Sequence, residues 1–391
     1  MTEQSTPIVP AAAPGTPAPA PIEAPAAPEY VAAPMRAAAH ANSAPVTVGA
    51  SALPSRREEA ANRQRAKNVA AAPIMPTRVP WLAVGVFVVI AFVGAWLVAL
   101  PLWTSGEGLA HPLFGLLAPA MMFTPALATL VVVLWVRRPA SIPRSLGLSP
   151  IRPAGRTWLF IALAFVGFTA LPFLAMLLGH ALGIIRVDLV GLSGVQAVID
   201  ALTESAGGQA VPIDASVVVV MTLVSLPFLT AINSVAAFGE EIGWRGWLLP
   251  ALRPLGTVQA LVLSGAIWGL WHAPLILLGY NYQRTDLLGL ASMVAFCVLT
   301  GVVIGWMRLR SASVWPAVVA HGAINTATTQ FLIFADADSL ADGDGIWGSV
   351  LGWPGWILLA AAIVVLVVTR QLWKQSEPGL TLAESRVSPV A

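Results

Sequence analysis

Two adjacent carboxylates, Glu240 and Glu241, lie in the run Ala-Phe-Gly-Glu-Glu-Ile-Gly-Trp-Arg inside a long apolar stretch, and they are the only two of the chain's 19 acidic residues so placed. Two further apolar segments each carry one His, His272 in Ile-Trp-Gly-Leu-Trp-His-Ala-Pro and His321 in Val-Val-Ala-His-Gly-Ala-Ile-Asn. A carboxylate inside a membrane segment costs several kcal/mol, so it marks a functional site by default. Residues four apart share a helix face. Glu241 and Arg245, Trp268 and His272, and His321 and Asn325 are such pairs, so three helices each present a polar or aromatic pair on one side. Glu240 lies about 100° round from Glu241. The expectation is therefore that Glu241 pairs with Arg245, while Glu240 faces the His residues and Trp244 walls its pocket. A carboxylate held out of water suits a general base. His321 and Asn325 can both donate hydrogen bonds to the oxyanion of a tetrahedral intermediate. These parts suffice for water attack on an amide without a covalent intermediate. Ser264 lies eight residues before His272, but no Gly-x-Ser-x-Gly surrounds it, and it is set aside as a nucleophile.

Two imidazoles and a carboxylate with an open position also describe many catalytic zinc sites. Glu240, His272 and His321 are the candidate ligands, although no His-Glu-x-x-His run is present. Metal-bound water and Glu-activated water both stay open at this point. The single cysteine, Cys297, sits in an apolar segment; it allows no intrachain disulfide and no Cys-based zinc site, and reads as a small buried hydrophobe.

The elements that must position these groups are membrane helices. Only 10% of the residues are charged and 57% are hydrophobic, against about 25% charged in soluble domains; the mean hydropathy is +0.78. An all-α polytopic membrane protein is expected. The net charge of +2 does not suggest nucleic acid. Eight apolar segments, each near the roughly 20 residues that cross a bilayer, are placed at 81–103, 113–135, 157–180, 215–238, 257–279, 287–306, 315–334 and 347–369. Pro119, Pro125 and Pro172 lie inside the second and third and are expected to kink rather than break them. With the N-terminus inside, the inner loops hold Arg137, Arg138, Arg144, Arg152, Arg156, Arg245, Arg253, Arg308, Arg310, Arg370 and Lys374, and the outer loops hold only Arg186 and Arg284. That bias predicts a multi-pass protein of the cell membrane with both termini cytoplasmic. The acids Asp336 to Asp344 lack the ligand pattern of a calcium loop and read as a solvated outer loop.

Residues 1–76 are Ala/Pro-rich and cannot bury enough apolar area to offset chain entropy, so a disordered cytoplasmic tail is expected there. Residues 55–67 within it allow a short basic helix on anionic lipid. The first thirty residues lack the basic start and apolar core of a cleaved signal, so insertion is expected to rely on the first membrane helix. The membrane domain is placed at 77–376, with its motif core at 215–335, and a C-terminal cytoplasmic tail at 377–391.

In these motifs the chain resembles the CAAX prenyl protease and bacteriocin-processing family of intramembrane proteases, also called the Abi family. Glu240, Glu241 and Arg245 meet its Glu-Glu-x-x-x-Arg motif; His272 meets Phe-x-x-x-His, with Trp268 at the aromatic position; His321 and Asn325 meet the third. The resemblance implies an eight-helix membrane bundle whose site opens to the cytoplasmic side. It implies Glu240 as the activating carboxylate with His272 beside it, His321 and Asn325 as the oxyanion site, and Glu241 and Arg245 as support. The expected activity is endopeptidase cleavage of a peptide at the membrane, either a lipidated C-terminal tail or a leader peptide. Two other classes are weighed against it: a non-catalytic immunity or scaffold protein on the same fold, and a proton-coupled transporter, which would show paired broken helices in two repeats.

Depth strains the shared site. His321 lies about 9 Å into its helix and His272 about 22 Å into its own, at 1.5 Å per residue. Both helices start inside, so the two meet only if the helix of His272 starts above the membrane plane or is strongly tilted.

Overall fold

The computed structural model describes residues 74–151, 154–208, 213–341 and 347–374, together with positions 56, 57, 59, 60 and 63. Those five positions are helical, within the basic stretch expected to form a short helix. Residues 74–76 at the end of the expected N-terminal tail are also described, with Met75 buried; the rest of that tail, the end of the acidic loop and the expected C-terminal tail lie outside the described residues.

Among the described residues the protein is all-helical. There is no β-strand, only an isolated antiparallel bridge between Val187 and Ala335. Five helical runs are long and apolar enough to cross a membrane. They are α1 (Trp81–Thr104), a broken run through α2 (Phe114–Met121) and α3 (Thr124–Val131), α4 (Ala154–Ala181), a 41-residue run that begins with α6 (Ala215–Glu241), and α8 (Leu287–Ser311). Between α4 and α6 lies α5 (Ser193–Ser205). The other three expected segments carry shorter helices: α7 (Thr257–Trp271), α9 (Trp315–Gln330) and α10 (Trp353–Val368). At 15 and 16 residues these span about 24 Å, short of the roughly 30 Å hydrocarbon core.

The chain breaks where its chemistry requires it. Pro125 has no N–H to continue a helix, and the second segment is interrupted at Met122–Phe123 rather than merely kinked. Pro172, by contrast, lies within an uninterrupted α4. The helix expected over 257–279 ends at Trp271, because Pro274 follows His272 by two residues and cannot donate to the turn before it. Asp214 and Asp286 cap α6 and α8 by accepting from Ser216 and Gly289 amides.

Packing brings the motif helices together. α9 lies between α4 and α6, and α7 runs along α8. The α7–α8 contact is made backbone to backbone. A Cβ at Gly269 would stand 2.5 Å from Val294 Cα, and one at Gly265 would stand 2.8 Å from Val298 Cα. Small residues four apart are how apolar helices approach closely when no hydrophobic force separates protein from lipid. Gly269→Ala is expected to cost about 1–3 kcal/mol, the usual penalty of overpacking, and to weaken the site through the neighbouring Trp268. SDS titration of the purified variant measures it; an unchanged midpoint would contradict the close approach.

Three arginines counted above as loop charges, Arg245, Arg253 and Arg308, are buried. The opposite end of the bundle carries a polar clasp. Arg186 pairs with Asp336 at 3.0 Å, and Asp188 accepts from the Ser193, Gly191 and Val190 amides. The Ser193 and Gly191 amides hold the Asp188 carboxyl down at about 2. Asp336 thus serves an ion pair between two loops.

Candidate active site

α6 ends on Glu241 and passes into a π-helical turn, Ile242–Leu248, in which the Leu249 amide donates to Trp244 O, five residues back. Such wide turns are often found at functional sites. The two carboxylates leave this junction in different directions, as their 100° offset requires. Glu241 Oε1 accepts from Arg245 at 2.6 Å and from His321 Nδ1 at 2.9 Å. Glu240 Oε2 accepts from the indole N–H of Trp268 at 2.6 Å and of Trp244 at 3.2 Å. All of Glu240, Glu241, Arg245, Trp244, Trp268 and His321 are buried.

The Glu241–Arg245 pair therefore forms as its spacing predicts. The carboxylate that bonds a His is Glu241 and not Glu240, whose recorded partners are two tryptophans. Trp268 is the hub of the cluster. Its N–H holds Glu240, the Arg245 guanidinium lies over its ring at 4.2 Å, and its backbone carbonyl faces His272 Nδ1 at 2.9 Å. Its ring centroid is 5.3 Å from that of His321 and 5.8 Å from that of His272. His272 directly follows the last residue of α7, and the two rings meet despite their different depths along their helices. Both imidazoles touch the same indole.

A tautomer follows from these partners. A backbone carbonyl and a carboxylate only accept, so Nδ1 carries the proton in both rings. Neutral His272 therefore presents an Nε2 lone pair. His321 Nε2 makes no hydrogen bond to a described residue, nor does Glu240 Oε1. Asn325, one turn beyond His321 on α9, is half-buried and its amide makes no hydrogen bond to a described residue. Cys297 is buried with Sγ 3.9 Å from His272 Nδ1.

Sequence reasoning took Trp244 as a pocket wall and Trp268 as the aromatic position of its motif, and missed that their indole N–H groups hold Glu240. The available signal was that each Trp can donate where Phe cannot. It also missed Gly301, where a Cβ would stand 3.1 Å from the Arg245 guanidinium. As to metal, no group of three or more His, Cys, Asp or Glu among the described residues is arranged to hold an ion. Glu240, His272 and His321 are not brought together as such a set.

Long apolar helices enclosing a carboxylate, guanidinium and imidazole cluster define a multi-pass membrane protein with a buried polar site. Residues 222–327 match the sequence model of the family described as type II CAAX prenyl endopeptidase Rce1-like. That stretch holds every residue of the cluster, and over it the chain is similar to that family. CAAX prenyl protease 2 of Methanococcus maripaludis is 31% identical over 115 residues, which cover 28% of this chain and 42% of that protein. The chain thus spans less than half the length of this curated relative.

Proposed function

We propose that the protein is an intramembrane endopeptidase of the CAAX prenyl type, hydrolysing a peptide bond with a water activated by Glu240. The observation that carries this reading is the state of the Glu240 carboxylate. One oxygen is fixed by two indole N–H groups, and the other makes no hydrogen bond to a described residue, in a cluster with two imidazoles.

In the reaction, Glu240 Oε1 takes a proton from the water as its oxygen attacks the scissile carbonyl. His272 Nε2 accepts the water's other hydrogen bond and aims it. The carbonyl oxygen becomes an oxyanion, which Asn325 Nδ2–H stabilises together with His321 Nε2–H. His321 donates there only when the ring carries both protons, and the Glu241 carboxylate is then its counter-ion. Glu240 returns the proton to the leaving amine as the carbon–nitrogen bond breaks. Glu241 and Arg245 hold His321 and Trp268 in place.

A lipidated substrate is favoured over a leader peptide by a groove of about 820 Å³ lined by α4, α6 and α9, with Phe123 at one edge. Its lining includes Phe238 and Val318, and nearly all of its wall is apolar. Phe238 is three residues before Glu241, and Val318 is three before His321, so each shares a face with a member of the cluster. An isoprenyl chain in this groove would bring the attached peptide to the site. The basic residues counted above, eight against two once the buried Arg245, Arg253 and Arg308 are set aside, support cytoplasmic termini and a site served from the cytoplasmic side.

The test is cleavage by purified protein in liposomes of a peptide ending in a farnesylated Cys and three further residues, beside its unfarnesylated twin. Release of the three-residue tail from the farnesylated peptide, at least about tenfold faster than from the twin, is expected, since burial of the chain supplies several kcal/mol. Equal rates would remove the lipid assignment. Folded protein that cuts neither would favour the scaffold reading.

A further inference from the structure

Arg308 lies in the last turn of α8, belongs to none of the three motifs, and is fully buried. Its Nε donates to Arg245 O at 3.2 Å, and its Nη2 donates to Ser145 O at 3.3 Å. The first of these carbonyls belongs to the π turn that carries the site. In that register the amide of residue i+5 donates to the carbonyl of residue i, as Leu249 does to Trp244. The amide due to Arg245 O is that of residue 250, which is Pro250 and has no N–H. Arg308 Nε supplies the donor that the proline withholds.

The second carbonyl belongs to the one-turn helix Ile142–Ser145, which follows α3 and leads into the loop of Gly147 and Leu148. Gly147 lies against the guanidinium with φ +74°, and a Cβ there would stand 2.7 Å from Arg308 Cζ. The same loop is fastened to the start of α9, where Val314 N–H donates to Gly147 O and Trp315 Nε1–H to Leu148 O. Arg308 therefore joins the turn bearing Glu241 and Arg245 to a loop that is itself joined to the helix bearing His321.

We propose that Arg308 is a positioning residue for the candidate active site: by donating to Arg245 O in place of the amide that Pro250 lacks, it sets the register of the π turn and so the alignment of the Glu241–Arg245 pair with His321. The effect on cleavage rests on the peptidase reading, whereas the effect on the turn does not.

The test uses full-length protein in liposomes and five variants: Arg308→Met, Pro250→Ala, the double variant of these two, Arg308→Lys, and Arg308→Lys combined with Pro250→Ala. The Pro250→Ala change restores an N–H at the position where the π register needs one. Two readouts are taken, amide hydrogen exchange across residues 242–251 and steady-state cleavage of the farnesylated peptide. Arg308→Met is expected to speed exchange in the turn and to lower kcat about 10- to 100-fold, the worth of a hydrogen bond from a charged donor. KM should stay within about twofold, because the substrate is not touched. Pro250→Ala alone should change little. The double variant should regain about tenfold in kcat and slow exchange again, since a neutral amide replaces a charged donor. A general loss of packing would not be rescued by removing a proline elsewhere. If Arg308→Met fails to fold, Arg308→Lys with and without Pro250→Ala carries the same comparison.

Exchange in Arg308→Met equal to that of the parent, or no rescue in the double variant, would overturn the proposal. So would faster exchange with kcat unchanged. A parent protein that cleaves nothing would overturn the peptidase reading instead, and exchange alone would then decide whether Arg308 holds the turn.

Discussion

Glu240→Gln is expected to leave the bundle folded and to lower the cleavage rate about 10³- to 10⁴-fold, the upper part of the range for a positioned general base. The substitution separates structure from chemistry because of how the carboxylate is held. Glu240 Oε2 accepts two indole N–H bonds, from Trp244 and Trp268, and the amide oxygen of Gln can accept both. The amide nitrogen then takes the place of the other carboxylate oxygen, where it can donate to water but cannot take its proton. Glu240→Ala is a poorer experiment, since it strands two indole N–H groups in a buried place and costs stability as well. Single-turnover cleavage of the farnesylated peptide, beside SDS titration of both variants, makes the comparison. Cleavage by Glu240→Gln within tenfold of the parent would move the general base elsewhere. His272 would be the first place to look, because its Nε2 lone pair is fixed by the Nδ1 contact with Trp268 O.

The residues of the cluster were legible in the sequence because burying a charge in lipid is costly enough to be kept only for a reason. The same logic found Glu240, Glu241, Arg245, His272 and His321 without any knowledge of the fold. Spacing of four then gave the Glu241–Arg245 pair, which is a contact within one helix turn. Contacts between helices were not legible. The Trp268 bond to Glu240 spans 28 residues and the His321 bond to Glu241 spans 80, and no periodicity says which face of α7 or α9 turns toward α6. Spacing alone therefore aims Glu240 at the imidazoles, where the hydrogen bond that forms runs between Glu241 and His321. Helix length was half legible. Apolar runs located every long helix, but hydropathy does not stop at the residue where a proline stops the hydrogen bonds. The segment drawn to 279 ends at 271, and the His272 and His321 rings reach one indole although they lie at different depths along their helices. Burial of Arg308 was hidden for a different reason. An arginine near a helix end reads as a snorkelling flank, and only the folded chain shows a carbonyl whose own donor is missing.

The Glu241–Arg245 pair should show the largest effect on stability. Arg245→Met is expected to cost about 3–5 kcal/mol, because it leaves a buried carboxylate with His321 as its remaining recorded partner. Glu241→Gln should cost a similar amount by stranding the guanidinium over the Trp268 ring. The double variant should cost less than the two single changes together, with a coupling of about 1–3 kcal/mol between groups in direct contact. Arg245→Lys tests whether charge alone suffices. An ammonium can still meet Glu241, but it lacks the flat face that lies on the indole at 4.2 Å, so it should recover only part of the loss. SDS titration of the four proteins gives the cycle, and strictly additive losses would show that the two side chains stabilise the bundle separately. The chemistry bears on the same cycle. If the pair acts by holding His321 and Trp268 rather than by touching substrate, the double variant should remain slow even where it is stable, since stability returns when both charges go but His321 Nδ1 keeps no carboxylate to face.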